Sequence, residues 1–325
     1  MSGANRTAIA VAGAAGAALA LAGAARARQP EERPEAPGTF TQIGRESIHH
    51  MSSTAGSGPT VVFESALSCP CTEWAWILRS LDGRVPYLAY DRPGNGWSSQ
   101  HKPAVTSADL NLLTKRLLHE LGLSGPYLLV GHSVGGLLAR TFARNHAADL
   151  AGIVLVDSSH PDQLRRSTLQ REGMPLVKQG ISRMHLRSRY RLLPEANPDD
   201  FGAIADLPAD LVEPSGRIMR RPEPWAAARR EFALWNTEWA PQAASTLLPE
   251  ALPIGVVTAG QQASMDLAHG RMQAELAELS TVSMHKVVPN AEHDGLVMNE
   301  DQARNVTSVI EWALERHANR VPTGP

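Results

Sequence analysis

Two cysteines in 325 residues leave little for covalent or metal scaffolding. Cys69 and Cys71 stand in Cys-Pro-Cys, a spacing that suits neither a structural zinc site nor a disulfide framework, so both read as loop thiols. A dominant charge is missing too. The formal net charge is −2, which gives no overall field for gathering nucleic acid or an acidic polymer. Gly94-Asn95-Gly96 has neither the spacing of a dinucleotide fingerprint nor the lysine of a phosphate loop. With no metal site and no cofactor motif in view, chemistry falls to ordinary side chains acting on a small molecule.

Residues 1–38 read as lying outside the fold. Thr7 to Ala25 is a charge-free Ala/Gly/Leu run of 19 residues preceded by Arg6. Ala22-Gly23-Ala24 and Ala25-Arg26-Ala27 are both small-x-small sites of the kind a signal peptidase cleaves. The run is also long enough for a retained membrane anchor, although alanine and glycine make it weakly hydrophobic. An Ala/Gly-rich tail is the bland alternative. Arg28 to Gly38 forms a linker too polar and proline-rich to pack. On the first two readings the protein is exported or membrane-anchored, with membrane association through this segment.

Beyond Gly38 the chain alternates strand and helix. Phe40 to Met51 reads as a hairpin turning at Gly44-Arg45-Glu46, and Thr60-Val61-Val62-Phe63 as a short buried strand. Val85 to Tyr90 is another strand, then Leu110, Leu113, Leu117 and Leu121 recur at helical spacing after Ser107 and before Gly122. Tyr127 to Val130 and Gly152 to Val156 complete the pattern, which predicts a mostly parallel sheet with helices on both faces. From Ser158 to about Pro253 the rhythm stops, with helices punctuated by Pro194, Pro198, Pro208, Pro214 and Pro222. This stretch predicts a helical cap, 158–253, inserted into a core made of 39–157 and 254–320. Residues 161–191 of the cap hold seven arginines against Asp162 and Glu172. They read as a solvated helix face, with contact to anionic lipid or an acidic substrate as the alternative.

The chemistry centres on Gly131-His132-Ser133-Val134-Gly135-Gly136, which follows an apolar strand and precedes a helical pattern. In that context G-x-S-x-G makes a nucleophile elbow: glycines allow the close approach of backbones, and the serine is held exposed on a strained turn. Its hydroxyl needs a base. Pro289-Asn290-Ala291-Glu292-His293 comes after the last strand, so His293 is placed to fold back over Ser133. The acid that orients the histidine has two candidates. Asp157 lies at the end of the strand after the elbow, 24 residues beyond the serine, and is preferred; Asp266 lies after the penultimate strand, Ile254 to Thr258. An oxyanion hole would use the N–H of Val134 and a second N–H from the loop Glu64 to Ser68. Trp74, Trp76 and Trp97 read as core, with the lining of an acyl pocket as the alternative.

Four pieces together resemble the α/β-hydrolase superfamily across roughly residues 38 to 320. They are the elbow, Tyr90-Asp91-Arg92-Pro93-Gly94-Asn95-Gly96-Trp97-Ser98, Leu155-Val156-Asp157 and Glu292-His293. The resemblance is to bacterial members with an N-terminal hydrophobic segment, in the branch whose acid follows the sixth strand. It implies an α/β fold with an eight-stranded, mostly parallel sheet, the helical cap after the sixth strand, and a Ser-Asp-His order of Ser133, Asp157 and His293. It places the Leu67 N–H in the oxyanion hole, although Ser65-Ala66 stand where the family has a His-Gly or Gly-rich pair. Family members with a nucleophilic Asp, the epoxide hydrolases and haloalkane dehalogenases, are disfavoured by Ser133. The expected activity is hydrolysis of carboxylic esters or related acyl compounds through an acyl-enzyme, with no cofactor. The alternative is a non-catalytic ligand-binding or interaction protein on the same scaffold.

Overall fold

The computed structural model describes residues 33–101, 105–193 and 203–320. The first 32 residues, which carry the expected signal or anchor, lie outside the described residues, as do Pro194 and Pro198. Among the described residues no helix is long and apolar enough to cross a membrane.

Eight strands form one sheet in the order β1-β2-β4-β3-β5-β6-β7-β8. They are β1 (Thr39–Ile43), β2 (Glu46–Ser53), β3 (Thr60–Glu64), β4 (Tyr87–Tyr90), β5 (Tyr127–His132), β6 (Leu150–Val156), β7 (Ile254–Ala259) and β8 (Ser283–Val288). β1 and β2 pair antiparallel, as do β2 and β4, and every later pairing is parallel. Ile43 faces Glu46 in the hairpin register, so its turn is Gly44-Arg45 alone, with Gly44 at φ 63°. Glu46, expected in the turn, belongs to the strand.

β5 is buried along its whole length between β3 and β6, and its side chains alternate between two cores. Leu128 and Val130 pack on one face with helix α1 (Ala75–Leu81) and the C-terminal helix, Glu300–Ala318. Tyr127 and Leu129 pack on the other with α2 (Ser107–Glu120) and α3 (Gly135–His146). This period of two on a strand covered on both sides is why the run reads as continuously apolar. Trp74 and Trp97 are core side chains, and both are fully buried.

Helices occupy the chain between β6 and β7: α4 (Thr168–Arg189), α5 (Ala209–Met219) and α6 (Pro222–Leu234) are the longest. Pro208 and Pro222 stand at helix starts, where a missing N–H is harmless. Pro214 does not break its helix as expected but lies inside α5, and Pro175 lies inside α4. After β7 comes α7 (Leu267–Ala277), and α8 (Glu300–Ala318) closes the chain.

Contacts with the core are made by residues just before Gly38 and by Gly38 itself. The Trp97 indole donates to the Pro34 carbonyl at 2.9 Å, Ala36 packs on the core, and the Gly38 N–H donates to His49 at 3.2 Å. Proline richness hid these contacts because they are made by carbonyls and small side chains rather than by a periodic apolar face.

Candidate active site

Ser133 sits between the end of β5 and the start of α3 with φ 54°, a left-handed conformation that a serine adopts only when its surroundings impose it. Its N–H donates to Val156 O at 3.1 Å and its carbonyl accepts from Ser159 N at 2.9 Å, so both backbone groups are tied to the end of β6. The flanking glycines have steric reasons. A Cβ on Gly135 would stand 2.1 Å from Glu64 O, and one on Gly136 would stand 1.9 Å from Ser158 Oγ. The serine remains partly accessible while its neighbours are buried.

Asp157 leaves β6 with its backbone N–H fixed to Val257 O at 2.7 Å and φ 39°. Its buried carboxylate is shared between two histidines: Oδ2 lies 2.6 Å from His293 Nδ1, and Oδ1 lies 2.9 Å from His269 Nε2. The Ala259 N–H also donates to Oδ1 at 3.0 Å. Burial raises the carboxyl, but the hydrogen bonds from His269 and His293 outweigh it and hold Asp157 well below the usual carboxylate range. For His293, desolvation disfavours the cation, yet the hydrogen bond and charge of Asp157, with Asp294 and Glu73 behind, lift the imidazole above its ordinary value. With Nδ1 facing Asp157, Nε2 is the free nitrogen of His293. His293 and Ser133 line the same cavity but are not hydrogen-bonded to each other; such contacts commonly tighten only around substrate.

Asp266, the other acid weighed from sequence, is engaged elsewhere. It caps α7 by accepting from Ala268 N at 3.1 Å and His269 N at 3.2 Å, and it accepts from Ser167 Oγ at 2.5 Å. Asp266 therefore holds the first turn of α7, which carries His269. Gln170 of α4 reaches the same place, with its amide 3.2 Å from His269 Nδ1.

The loop after β3 is held from beneath. Glu73 Oε1 accepts the Ala66 N–H at 2.9 Å, while its other oxygen lies 3.3 Å from His132 Nδ1. Arg92 donates to Ser65 O at 2.6 Å and Ala66 O at 2.9 Å, and it bridges to Glu231 of α6. Burial opposes the Arg92 charge, but Glu231 and Glu64 more than offset it, so the guanidinium stays charged. These bonds fix the path at Ser65-Ala66 and set Leu67 on the cavity wall beside Val134.

The cavity is about 720 Å³ and is walled by both the sheet edge and the helices between β6 and β7. Met174, Val177, Met184, Met219, Trp225 and Trp235 give it an apolar side. Its tryptophans are thus Trp225 and Trp235, not Trp74, Trp76 or Trp97. Among the described residues, two trios of side chains bring metal-ligand atoms within 4.8 Å, His49/Cys71/Asp91 and His132/His293/Asp294. In the first, Asp91 already accepts from Cys71 N at 2.6 Å, Trp97 N at 2.8 Å and His49 at 2.8 Å, which accounts for the cluster as a buried hydrogen-bond hub. Cys71 is buried there rather than exposed in a loop, and burial raises its thiol.

Sequence reasoning missed His269, Glu73 and Glu231. His269 carried one signal, its place in the segment after the penultimate strand, where it falls in the first turn of α7. Nothing local marks the other two.

A model described as the alpha/beta hydrolase family matches residues 61–308. The chain belongs to the alpha/beta hydrolase family. An uncharacterized protein of Schizosaccharomyces pombe is 30% identical over 220 residues, 64% of this chain and 39% of that protein. The hydrolase-family chain thus spans about two fifths of that relative's length. Solved structures share the architecture: an esterase from Thermogutta terrifontis has TM-score 0.56 at 22% identity, covering 86% of this chain and 97% of that one. A carboxylesterase structure from Nitrososphaera gargenis has TM-score 0.59 at 14% identity, covering 87% and 100%. At these identities the likeness is one of fold.

Proposed function

We propose that this protein is a serine hydrolase that cleaves carboxylic esters or related acyl compounds. The observation that carries the reading is the 2.6 Å contact between His293 and Asp157 in the cavity that also holds Ser133 on its strained turn. In the proposed reaction the Ser133 hydroxyl attacks the acyl carbonyl as His293 Nε2 takes its proton. Asp157 keeps the imidazole in the right tautomer and stabilises the imidazolium. The negative oxygen of the tetrahedral intermediate is met by the N–H groups of Leu67 and Val134. His293 then protonates the departing alcohol, and water, deprotonated by the same histidine, releases the acid from Ser133. The apolar wall of Met and Trp side chains suits an acyl chain. We further propose that residues 1–38 carry the export signal or anchor and that 158–253 acts as the cap that chooses the substrate.

The test is hydrolysis of a panel of esters, lactones and amides by wild type and Ser133→Ala. The expected outcome is turnover of at least the esters by wild type and loss of it in the variant, with an unchanged circular dichroism spectrum. Activity of Ser133→Ala within a few-fold of wild type would remove the serine from the chemistry. A wild type that binds acyl compounds without turning them over would favour the non-catalytic alternative.

A further inference from the structure

Helix α4 packs unlike the other long helices. Of its 22 residues only Ile181 and Ser188 are buried. At 100° per residue it has three faces. Gln170, Gly173 and Val177 face the active-site cavity. Arg171, Lys178, Ile181 and Arg189 face a cleft of about 1340 Å³ shared with α6. The third face points outward and carries Leu169, Leu176 and Leu186, with Tyr190 just past the helix end and Leu176 70% exposed.

The cleft mixes apolar side chains such as Leu164, Met174 and Phe232 with basic ones. Arg165, Arg171, Lys178, Arg189, Arg229 and Arg230 line it, and no carboxylate does. Lys178, Arg189 and Arg229 are exposed and form no ion pair among the described residues. Arg183 and Arg187 add charge to the outer face, against Glu172 alone. On the other side of that face lies the rim of the active-site cavity. There Ser167 and Gln170 hold Asp266, which stands between the exposed Met265 and Leu267.

We propose that the outer face of α4, with the cationic cleft beside it, docks on an anionic phospholipid bilayer. An exposed helix that mixes leucines with basic side chains has the composition of an interfacial helix: apolar groups enter the headgroup boundary while the cations meet phosphates. The charge distribution also argues against a second copy of this chain. A two-fold interface sets a patch against itself, and here that would bring an excess of cations together with few carboxylates to offset them, Glu172 on the outer face and Asp162 beside Arg165. The active-site cavity lies along the neighbouring face of the same helix, at Gln170, Gly173 and Val177.

Flotation with vesicles tests this on the full-length chain and on a chain starting at Arg33, which lacks the apolar run Thr7 to Ala25 and gives the deciding comparison, using phosphatidylcholine alone and phosphatidylcholine with about one third phosphatidylglycerol. Binding is the readout, so it holds whether or not Ser133 reacts, and Ser133→Ala should behave as wild type. Wild type should prefer the anionic vesicles and lose that preference in high salt. Lys178→Glu/Arg189→Glu/Arg229→Glu should weaken it at least tenfold, since each basic side chain at such a surface contributes about fivefold. Arg183→Glu/Arg187→Glu, on the outer face, should weaken it in the same direction. Equal binding to the two vesicle types, or equal binding by wild type and both variants, overturns the proposal. So does retention on a polyglutamate matrix through these residues without vesicle binding, which would make the face a site for an acidic protein.

Discussion

Arg92 and Glu231 are 139 residues apart in the chain and meet in a buried two-point bridge, Nε to Oε1 and Nη2 to Oε2, each at 2.8 Å. The same guanidinium grips the carbonyls of Ser65 and Ala66, so one side chain joins helix α6 to the loop proposed to bind the oxyanion. Breaking a buried pair by removing one partner leaves an uncompensated charge and typically costs about 3–5 kcal/mol. Glu231→Ala is therefore expected to lower unfolding free energy by about that amount in urea titration. Ester turnover should fall with it, because Arg92 is freed to move and the loop with it. A loss below about 1 kcal/mol would show that Glu64, 3.9 Å from Arg92, takes over as counter-ion.

The two aspartates weighed as the acid are now separated by what they touch. Asp157→Asn presents an amide to His293 Nδ1 and can favour the wrong tautomer; in a serine protease this change lowers turnover roughly 10⁴-fold. A fall of that order is expected here. Asp266→Asn keeps a helix-capping side chain, and Asn caps about as well as Asp, so turnover should change only a few-fold. Steady-state kinetics of the two folded variants decide between them, and the reverse ranking would move the acid to Asp266.

The His293 shift sets the acid limb of the pH profile. A general base works when neutral, so kcat/KM should rise with pH through the imidazole's own pKa. Asp157 lifts that pKa, which places the limb above the ordinary histidine value. Removing the negative charge in Asp157→Asn should move the residual activity's limb to lower pH. His269→Gln should leave the limb above the ordinary value, since Asp157 keeps its contact with His293. Titration of the His293 ring protons by NMR checks the same order directly, and an upward move in Asp157→Asn would contradict it.

Much of this site could be read from the sequence for identifiable reasons. The elbow declares itself because strand, glycines and helix are contiguous between Tyr127 and Phe142. Asp157 and His293 could be ranked because each follows a strand whose end the parallel topology brings to one edge of the sheet. His269, Glu73 and Glu231 act across gaps of 112, 59 and 136 or more residues, and no local pattern encodes such partners. The helices between β6 and β7 were legible only as an interruption, since their proline spacing did not tell a helix start from a helix interior.

The contacts made before Gly38 were illegible for a related reason, and truncation measures what they contribute. A chain starting at Thr39 loses the Pro34 carbonyl that satisfies the buried Trp97 indole. An unsatisfied buried donor costs about 1–3 kcal/mol, so that chain should unfold earlier in denaturant than one starting at Arg33 by about this amount. Equal stability of the two would show that these contacts contribute nothing.

Ser133 is the proposed nucleophile and His293 its proposed base. The most direct measurement is reaction with a phosphonate that labels active-site serines, followed by peptide mass mapping. A single adduct on Ser133 is predicted in the wild-type protein. No adduct is predicted in Ser133→Ala, and labelling in His293→Ala should be slower by about 10²–10⁴-fold. Ester turnover by a protein that gains no adduct on Ser133, or an adduct on another residue that abolishes turnover, would contradict the account.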